Sequence, residues 1–342
     1  MTDEFPKNLW YMAAWSDEIG EALFARRLFD QPILFYRLSH GEVAALSDRC
    51  PHRFAPLSLG VRAGDSVQCP YHGLTFGADG ACIRNPFADK IPRNATVRTW
   101  PVRERDGIVW LWAGDEATPD EDAIPDFSML FNDNPPLTGY MAMNANYEFG
   151  TDNLMDLSHI EFVHKGSFAG NGVIFAGDHE IRDDGEVLHS NWWMPDVNAP
   201  PHTQGVYPAD LKTDHWLDMS WRAPASMQLA VGATPTTRPR EEGIVNEQAH
   251  ILTPETRTTT HYFWASSRPP GPINDEADAF VRSILERAFS DEDKPIIEAA
   301  FANLGGESFE SQKPVSLGVD TGGVLARRKI RSLIENEMAG AE

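Results

Sequence analysis

Cys50-Pro51-His52-Arg53 and Cys69-Pro70-Tyr71-His72-Gly73 are two short loops that each offer one thiolate and one imidazole, with sixteen residues between His52 and Cys69. Two thiolates can hold one iron of a [2Fe–2S] cluster while two neutral imidazoles hold the other, which raises the potential well above that of an all-thiolate cluster. Two Cys and two His also satisfy tetrahedral zinc, but zinc modules usually put two Cys in one knuckle and two His in the next. One ligand of each kind per loop favours the cluster, and the pair of loops reads as a one-electron relay. The prolines after both cysteines fix φ and remove a donor. With Gly73 they suit tight loops whose remaining backbone N–H groups can face the cluster sulfurs.

Around these loops, Pro32 to Trp112 alternates β-like runs with turn signals: PILFYRL, SHGE, VAALSD, then QCPYHGLTF, GADG, ACIRNP and GIVWLWAGD. This predicts a small all-β domain with its ligands on two loop tips. Cys82 has no histidine at ligand spacing and reads as a packed thiol. With three cysteines in all, a disulfide framework is excluded, which fits a reducing compartment.

At 342 residues the chain is too long for a cluster domain alone. The acidic, Pro-containing stretch DEATPDEDAIPDF at 115–127 breaks both periodicities. Residues 1–116 are therefore expected to form the cluster domain, 117–128 a linker, and 129–342 a second, catalytic domain. The formal charge of −22 argues against nucleic acid and against an anionic membrane surface. Residues 1–116 carry 13 basic and 15 acidic side chains, leaving 16 and 36 for the rest, so the acidity belongs to the second domain. Arg49, Arg53, Arg62, Arg84, Arg98, Arg103 and Arg105 offer either a basic face for an acidic electron donor or a scattered solvated surface. No run of about 18 apolar residues occurs, and MTDEFPKNLW lacks the regions of a signal peptide; a cytoplasmic protein is expected.

In the second half, YMAMNANYEFG reads as a strand entering a helix near Thr151-Asp152, where either residue can cap. EVLHSNWWM, WLDMSWRA, SMQLAVGAT, EQAHILTPET and RTTTHYFWASSR read as long antiparallel strands. INDEADAFVRSILERAFSDEDKPIIEAAFANL then returns to helical periodicity, with Phe280, Ile284, Ala288 and Phe289 on one face. VLARRKIRSLIENEM is a short amphipathic helix. The expected class is α+β: an all-β cluster domain, then an antiparallel-sheet domain with helices, of a helix-grip kind.

The helix over 150–165 carries Asn153, Asp156, His159 and His164. Two histidines and one carboxylate make a non-haem iron site that leaves coordination positions open for O2. Five residues of ideal α-helix turn by about 140°, so a helix end or π-bulge between His159 and His164 is required. HIEFVH alone is a weak signal. The relay upstream strengthens it, because an electron relay needs an acceptor. The carboxylate must come from elsewhere, and Asp291, Glu292 and Asp293 in FSDEDKPIIEAA all qualify.

CPHR, QCPYHG, NLMDLSHIEFVH and EDKPIIEA, within a likeness that runs from NLWYMAAW through HILTPET, resemble the oxygenase component of the Rieske non-haem iron aromatic monooxygenases, the group holding the vanillate and dicamba O-demethylases. The resemblance implies a Rieske [2Fe–2S] cluster on Cys50, His52, Cys69 and His72, and a mononuclear Fe(II) on His159, His164 and Asp293. It implies Asp156 as a bridge, hydrogen-bonded to His159 in its own subunit and to the cluster histidine of a neighbour in a head-to-tail homotrimer. Asn153, on the same helix face, is implied as support. The implied reaction uses O2 and electrons from NAD(P)H, delivered by a ferredoxin and/or reductase, since this chain has no dinucleotide fingerprint. On a small aromatic substrate it is O- or N-demethylation with release of formaldehyde, with ring or side-chain hydroxylation as the alternative.

For the pocket, His250 lies on a strand among apolar residues, either bonding a ring substituent or serving as a satisfied core histidine. Where relatives that hold polar aromatic acids place polar or aromatic side chains, this chain has Leu217, Leu229 and Ile284, which implies a more apolar or bulkier substrate. A Rieske carrier with a ligand-binding domain is a different class of function. Metal content separates the classes: about three irons per chain for an oxygenase, about two for a carrier, none for a zinc-stabilised module.

Overall fold

The computed structural model describes residues 5–114, 119–165, 167, 172–203 and 205–340. It divides into two compact units: Phe5–Asp126 with Glu255–Arg257, and the described residues of Phe127–Pro254 and Thr258–Glu342.

The first unit holds three antiparallel sheets. Trp10–Trp15, Ile108–Trp112 and Val102–Arg105 form one, and WYMAAW and IVWLW are buried along their whole length, as continuous apolar runs predict. Phe24–Leu28, Gln31–Arg37 and Val43–Ser47 form the second, its first hairpin closed by Phe29 and Asp30 at φ 53° and 61°. Positive φ at both loop residues is the twist that a two-residue hairpin needs. Val61–Ala63, Ser66–Gln68, Thr75–Gly77 and Cys82–Arg84 form the third and deliver the second ligand loop. Cys50 and Cys69 belong to the buried cluster of Leu34, Leu46, Val67 and Phe76. The thiols are thus fixed by core packing. Cys82 is buried too, its Sγ 3.4 Å from the Arg84 carbonyl oxygen.

Of the seven arginines, Arg62, Arg103 and Arg105 pair with Asp65, Glu121 and Asp106, while Arg49 and Arg98 lie over the rings of Phe54 and Trp100. Five of them are engaged locally, which favours the scattered surface over a single basic face.

The second unit is a seven-stranded antiparallel sheet in the order Leu137–Met143, Thr260–Ser266, Ile244–Pro254, Ser226–Pro235, Lys212–Arg222, Val187–Asn198, Asp178–Asp183. Its register places Leu188, Trp221, Met227, His250, Trp264 and Gly139 in one row across the sheet. Opposed residues share a face and alternate residues return to it, so Leu217 and Leu229 lie on the face that holds His250. Gly139 is required in this row: a Cβ there would stand 2.0 Å from the Trp264 ring.

The helices are α1 Tyr147–Met155, α2 Ile160–Val163, α3 Asp275–Glu286, α4 Lys294–Ala302 and α5 Thr321–Gly340. Ser190, opposite Met219 on the His250 face, donates to the carbonyl of Met155 at the end of α1 (2.8 Å) and ties that helix to the sheet. Helix α1 starts four residues before the Thr151-Asp152 expected from sequence, because Asn146 caps it through a bond from Glu148 N (3.0 Å). Thr151 instead bonds back to Tyr147 O, and Asp152 pairs with Arg327 on α5. The tail helix is longer than VLARRKIRSLIENEM suggests. Buried Arg327 holds it against α1 through Asp152 and Glu148. The expected apolar face also moves: Phe280 is 65% exposed, while Leu285, Ala288, Phe289 and Ile297 are buried. A π-helical segment, Arg287–Asp293, lies between α3 and α4 and rotates the buried stripe relative to a pure α-period.

Candidate metal centres

The two ligand loops are one turn used twice. Cys50 N donates to Ala55 O and Phe54 N to Cys50 O, both at 2.9 Å; Cys69 N donates to Leu74 O at 2.8 Å and Gly73 N to Cys69 O at 3.1 Å. The fourth residue after each cysteine is left-handed, with φ 62° at Phe54 and 71° at Gly73. Glycine takes this conformation freely and phenylalanine at a cost. The Arg49 guanidinium, 4.1 Å from the Phe54 ring centroid, braces the costly copy. Asp48 secures the far side of the first loop by accepting from Ser58 N (2.7 Å) and Oγ (2.6 Å).

Cys50 and Cys69 are 1% and 3% exposed. Burial above all pushes the Cys50 thiol up, and the neighbouring Cys69 adds to this, while bonds from the His52 and Arg53 backbone pull the other way. The His52 and His72 rings are 4.5 Å apart. His72 Nδ1 is buried with no hydrogen-bond partner, where nearly every buried polar atom has one. Two buried thiols, two adjoining imidazoles and an orphaned ring nitrogen fit a cluster with two sulfur and two nitrogen ligands.

The second centre forms where α1 ends. Asp156 leaves helical geometry at φ −123°, ψ 86°, and its Oδ1 accepts from Ser158 N (3.0 Å) and Oγ (2.6 Å). A 3-10 turn, Leu157–His159, runs into α2, and His164 closes it at φ −96°, ψ 31°. The break therefore precedes His159 and the helix end falls on His164, with helical backbone between them. Of the two expected devices, a helix end or a π-bulge between the histidines, the helix end falls on His164 itself, and the π-segment lies in the helix that carries the carboxylate. His159 Nδ1 donates to Asp156 O at 2.6 Å, and His164 Nδ1 to Glu292 at 2.9 Å. Each ring is thereby left with Nε2 facing Asp293, at 3.5 Å from Oδ1 for His159 and 3.2 Å from Oδ2 for His164. The three ligand atoms lie within 4.8 Å of one another.

Among the three carboxylates left open by sequence, Asp291 is exposed, Glu292 meets the outer nitrogen of His164, and Asp293, 4% exposed, reaches both inner nitrogens. Asn153 Nδ2 donates to Asp293 Oδ1 at 3.2 Å. Asp156 departs from expectation in one respect: it meets His159 through its backbone carbonyl, while its carboxylate caps the 3-10 turn. Burial holds His159 below the ordinary histidine range against the pull of Asp293. Burial acts the same way on His164, but Asp293 and Glu292 together outweigh it and hold that ring above its ordinary value. For Glu292, burial is likewise outweighed by bonds from Ser167 and His164, which keep the carboxyl low. Two imidazole nitrogens and one carboxylate oxygen gathered this closely fit a divalent metal with open positions.

His250 is 1% exposed, and its Nδ1 lies 2.7 Å from the Tyr262 hydroxyl, while Nε2 is buried without a hydrogen-bond partner. One nitrogen is thus satisfied in the core and the other is not. Burial pushes the ring down to about 4 and the Tyr262 phenol well above its ordinary value. Leu217 and Leu229, on the same sheet face, are 5% and 6% exposed, and Ile284 is half-buried on α3. Tyr262, Phe289 and Glu292 complete these surroundings. Sequence reading placed Phe289 on the apolar helix face and Glu292 among the candidate carboxylates, without their contacts to His250 and His164. It did not assign Tyr262, whose hydroxyl reaches His250 as a diagonal cross-strand neighbour.

Residues 9–101 match the model of the Rieske [2Fe–2S] domain, and residues 143–336 that of the vanillate O-demethylase oxygenase C-terminal domain. The chain is 36% identical to the oxygenase component of chloroacetanilide N-alkylformylase from Rhizorhabdus wittichii, over 97% of each chain. It is also 36% identical to the oxygenase component of dicamba O-demethylase from Stenotrophomonas maltophilia, over 98% of this chain and 99% of that one. The crystal structure of dicamba monooxygenase bound to 3,6-dichlorosalicylic acid superposes with a TM-score of 0.92 at 35% identity, covering 98% of this chain and 99% of that one. An all-β unit with paired Cys/His loops, followed by a sheet-and-helix unit with two histidines and a carboxylate, agrees with both family matches, and the chain belongs to the Rieske oxygenase components that carry the vanillate O-demethylase oxygenase C-terminal domain.

Proposed function

We propose that this chain is the terminal oxygenase of a multicomponent system that oxidatively removes an alkyl group from oxygen or nitrogen of a small, largely apolar aromatic compound. O2 is the co-substrate, and electrons from NAD(P)H arrive through a ferredoxin and/or reductase. The observation that carries the reading is the convergence of His159 Nε2, His164 Nε2 and an Asp293 oxygen within 4.8 Å, in a chain that also holds a Rieske domain. In this reading Cys50, His52, Cys69 and His72 hold the [2Fe–2S] cluster, and His159, His164 and Asp293 hold Fe(II). The iron, when bound, supplies O2 activation at its open positions.

The protein's part is positioning and exclusion of water. Asn153 fixes one oxygen of Asp293 and so orients the carboxylate. His250, neutral and held by Tyr262, offers Nε2 to a polar substituent of the ring substrate. Leu217, Leu229 and Ile284 supply apolar contact for the rest of it. The two relatives are named for an N-alkyl and an O-methyl reaction, which supports dealkylation over ring hydroxylation.

Residues 1–116 serve as the relay domain, 117–128 as linker and 129–342 as the catalytic domain of a homotrimer in which His72 of one chain meets Asp156 of the next. Tyr71 and Phe87, with rings 4.0 and 6.4 Å from His72, are 64% and 76% exposed, which supports coverage of this edge by another subunit. No described helix is long and apolar enough to cross a membrane, which is compatible with a cytoplasmic site of action.

The test is reconstitution with iron and a surrogate ferredoxin and reductase, then parallel measurement of O2, formaldehyde and hydroxylated product across methoxybenzoates, N-methyl anilides and unsubstituted aromatics. The expected result is about three irons per chain and formaldehyde equal to the O2 consumed. Hydroxylated product without formaldehyde would move the assignment to ring or side-chain hydroxylation. About two irons and no O2 uptake would leave an electron carrier.

A further inference from the structure

The carboxylate that holds His164 is the immediate neighbour of the one that joins the ligand set. Glu292 Oε2 accepts from His164 Nδ1 at 2.9 Å, while Asp293 Oδ2 lies 3.2 Å from Nε2 of the same ring. One imidazole is thereby held at both nitrogens by consecutive residues of the π-segment Arg287–Asp293. Glu292 is itself held on both oxygens: Ser167 Oγ donates to Oε2 at 2.6 Å, and Arg287 Nε to Oε1 at 3.1 Å. His159 has a different outer partner, the neutral carbonyl of Asp156. Of the two imidazoles facing Asp293, His164 alone donates its outer N–H to a side-chain carboxylate.

We propose that Glu292 is the positioning residue of the mononuclear iron site. It fixes the tautomer of His164, so that Nε2 carries the lone pair, locks the ring plane, and makes this imidazole the more electron-rich of the two. A carboxylate behind a metal-bound histidine has these effects, and its removal typically lowers metal affinity about 10–100-fold. This rests on the reading of His159, His164 and Asp293 as iron ligands. Ser167 and Arg287 act through Glu292.

The test compares wild type, Glu292→Ala and Glu292→Gln as full chains with the cluster in place. Three readouts are taken: iron per chain, the rate at which a ferrous chelator strips the mononuclear iron, and the visible spectrum of Co(II) loaded in its stead. Glu292→Ala is expected to lose affinity about 10–100-fold, with the cluster spectrum unchanged and the Co(II) bands shifted. Glu292→Gln keeps an acceptor for Nδ1–H and is expected to recover much of the affinity while retaining part of the band shift. Wild-type affinity and Co(II) spectrum in Glu292→Ala would overturn the proposal. So would loss of cluster and iron together in both variants, which would mark a folding role. If wild type itself binds no mononuclear iron, the reading of the site fails, and this inference with it.

Discussion

His250 is a base buried in the state that carries no charge. Its ring is pushed down to about 4 by burial, whereas in an unfolded chain it titrates near 6.5. Between those values the unfolded chain binds a proton that the native protein does not, so stability falls as pH drops from about 6.5 to about 4 and the loss is complete below that. The expected magnitude is roughly 3 kcal/mol. Urea unfolding across this range should show the slope in wild type and a shallower one in His250→Asn; equal slopes would remove His250 as the source. The identities of His250, His159 and His164 were legible as chemistry in the sequence. The hydroxyl of Tyr262 on His250 was not, because it arrives diagonally from the next strand, and only the register Leu252 to Tyr262 brings it near.

At the scale of elements, the π-segment decides which carboxylate joins the histidines. Periodicity placed a helix over these residues, and helices are there, but an α-period put Phe280 inside and left Asp291, Glu292 and Asp293 equivalent. A π-turn changes the phase of everything after it without changing composition, so the sequence shows the helix and hides its rotation. The same limit applies to α1, where the capping residue is Asn146. The strands were more legible, since their alternation is local and, apart from Leu137–Met143 pairing with Thr260–Ser266, their partners follow in order. Removing one residue from the π-segment should restore an α-phase and carry Asp293 away from His159 and His164. Deletion of the exposed Asp291 is therefore expected to leave the cluster spectrum and secondary structure intact and to abolish mononuclear iron binding, checked by metal analysis and circular dichroism. Retention of that iron would show that the π-geometry is not what places Asp293.

For the whole molecule, Arg327 joins the tail helix to the helix that leads into the candidate iron site. It is 6% exposed and bonds Glu148 at 2.5 Å and Asp152 at 2.6 Å. Burial pushes both carboxyls up even though Arg327 opposes it. Removing one partner of a buried ion pair typically costs about 3–5 kcal/mol, because charge is left uncompensated. Arg327→Met is expected to lose that much at neutral pH. It should lose less in acid, where carboxyls with raised native values take up protons sooner than in the unfolded chain. Urea midpoints at two pH values check both size and sign. The carboxylates and the tail helix were visible in the sequence, but their pairing spans 175 residues for Asp152, a distance at which no local pattern speaks.

The repeated ligand turn has a consequence for the cluster as a circuit element. Both cysteines sit in the core, while His52 is exposed and His72 half-exposed, so a cluster held by the proposed four ligands would have a sealed back and one open terminal. On that ligand set, current would enter and leave through the same imidazole edge. Donor and acceptor then either take turns at that terminal or divide it between them, and the order in which they arrive becomes part of the turnover cycle.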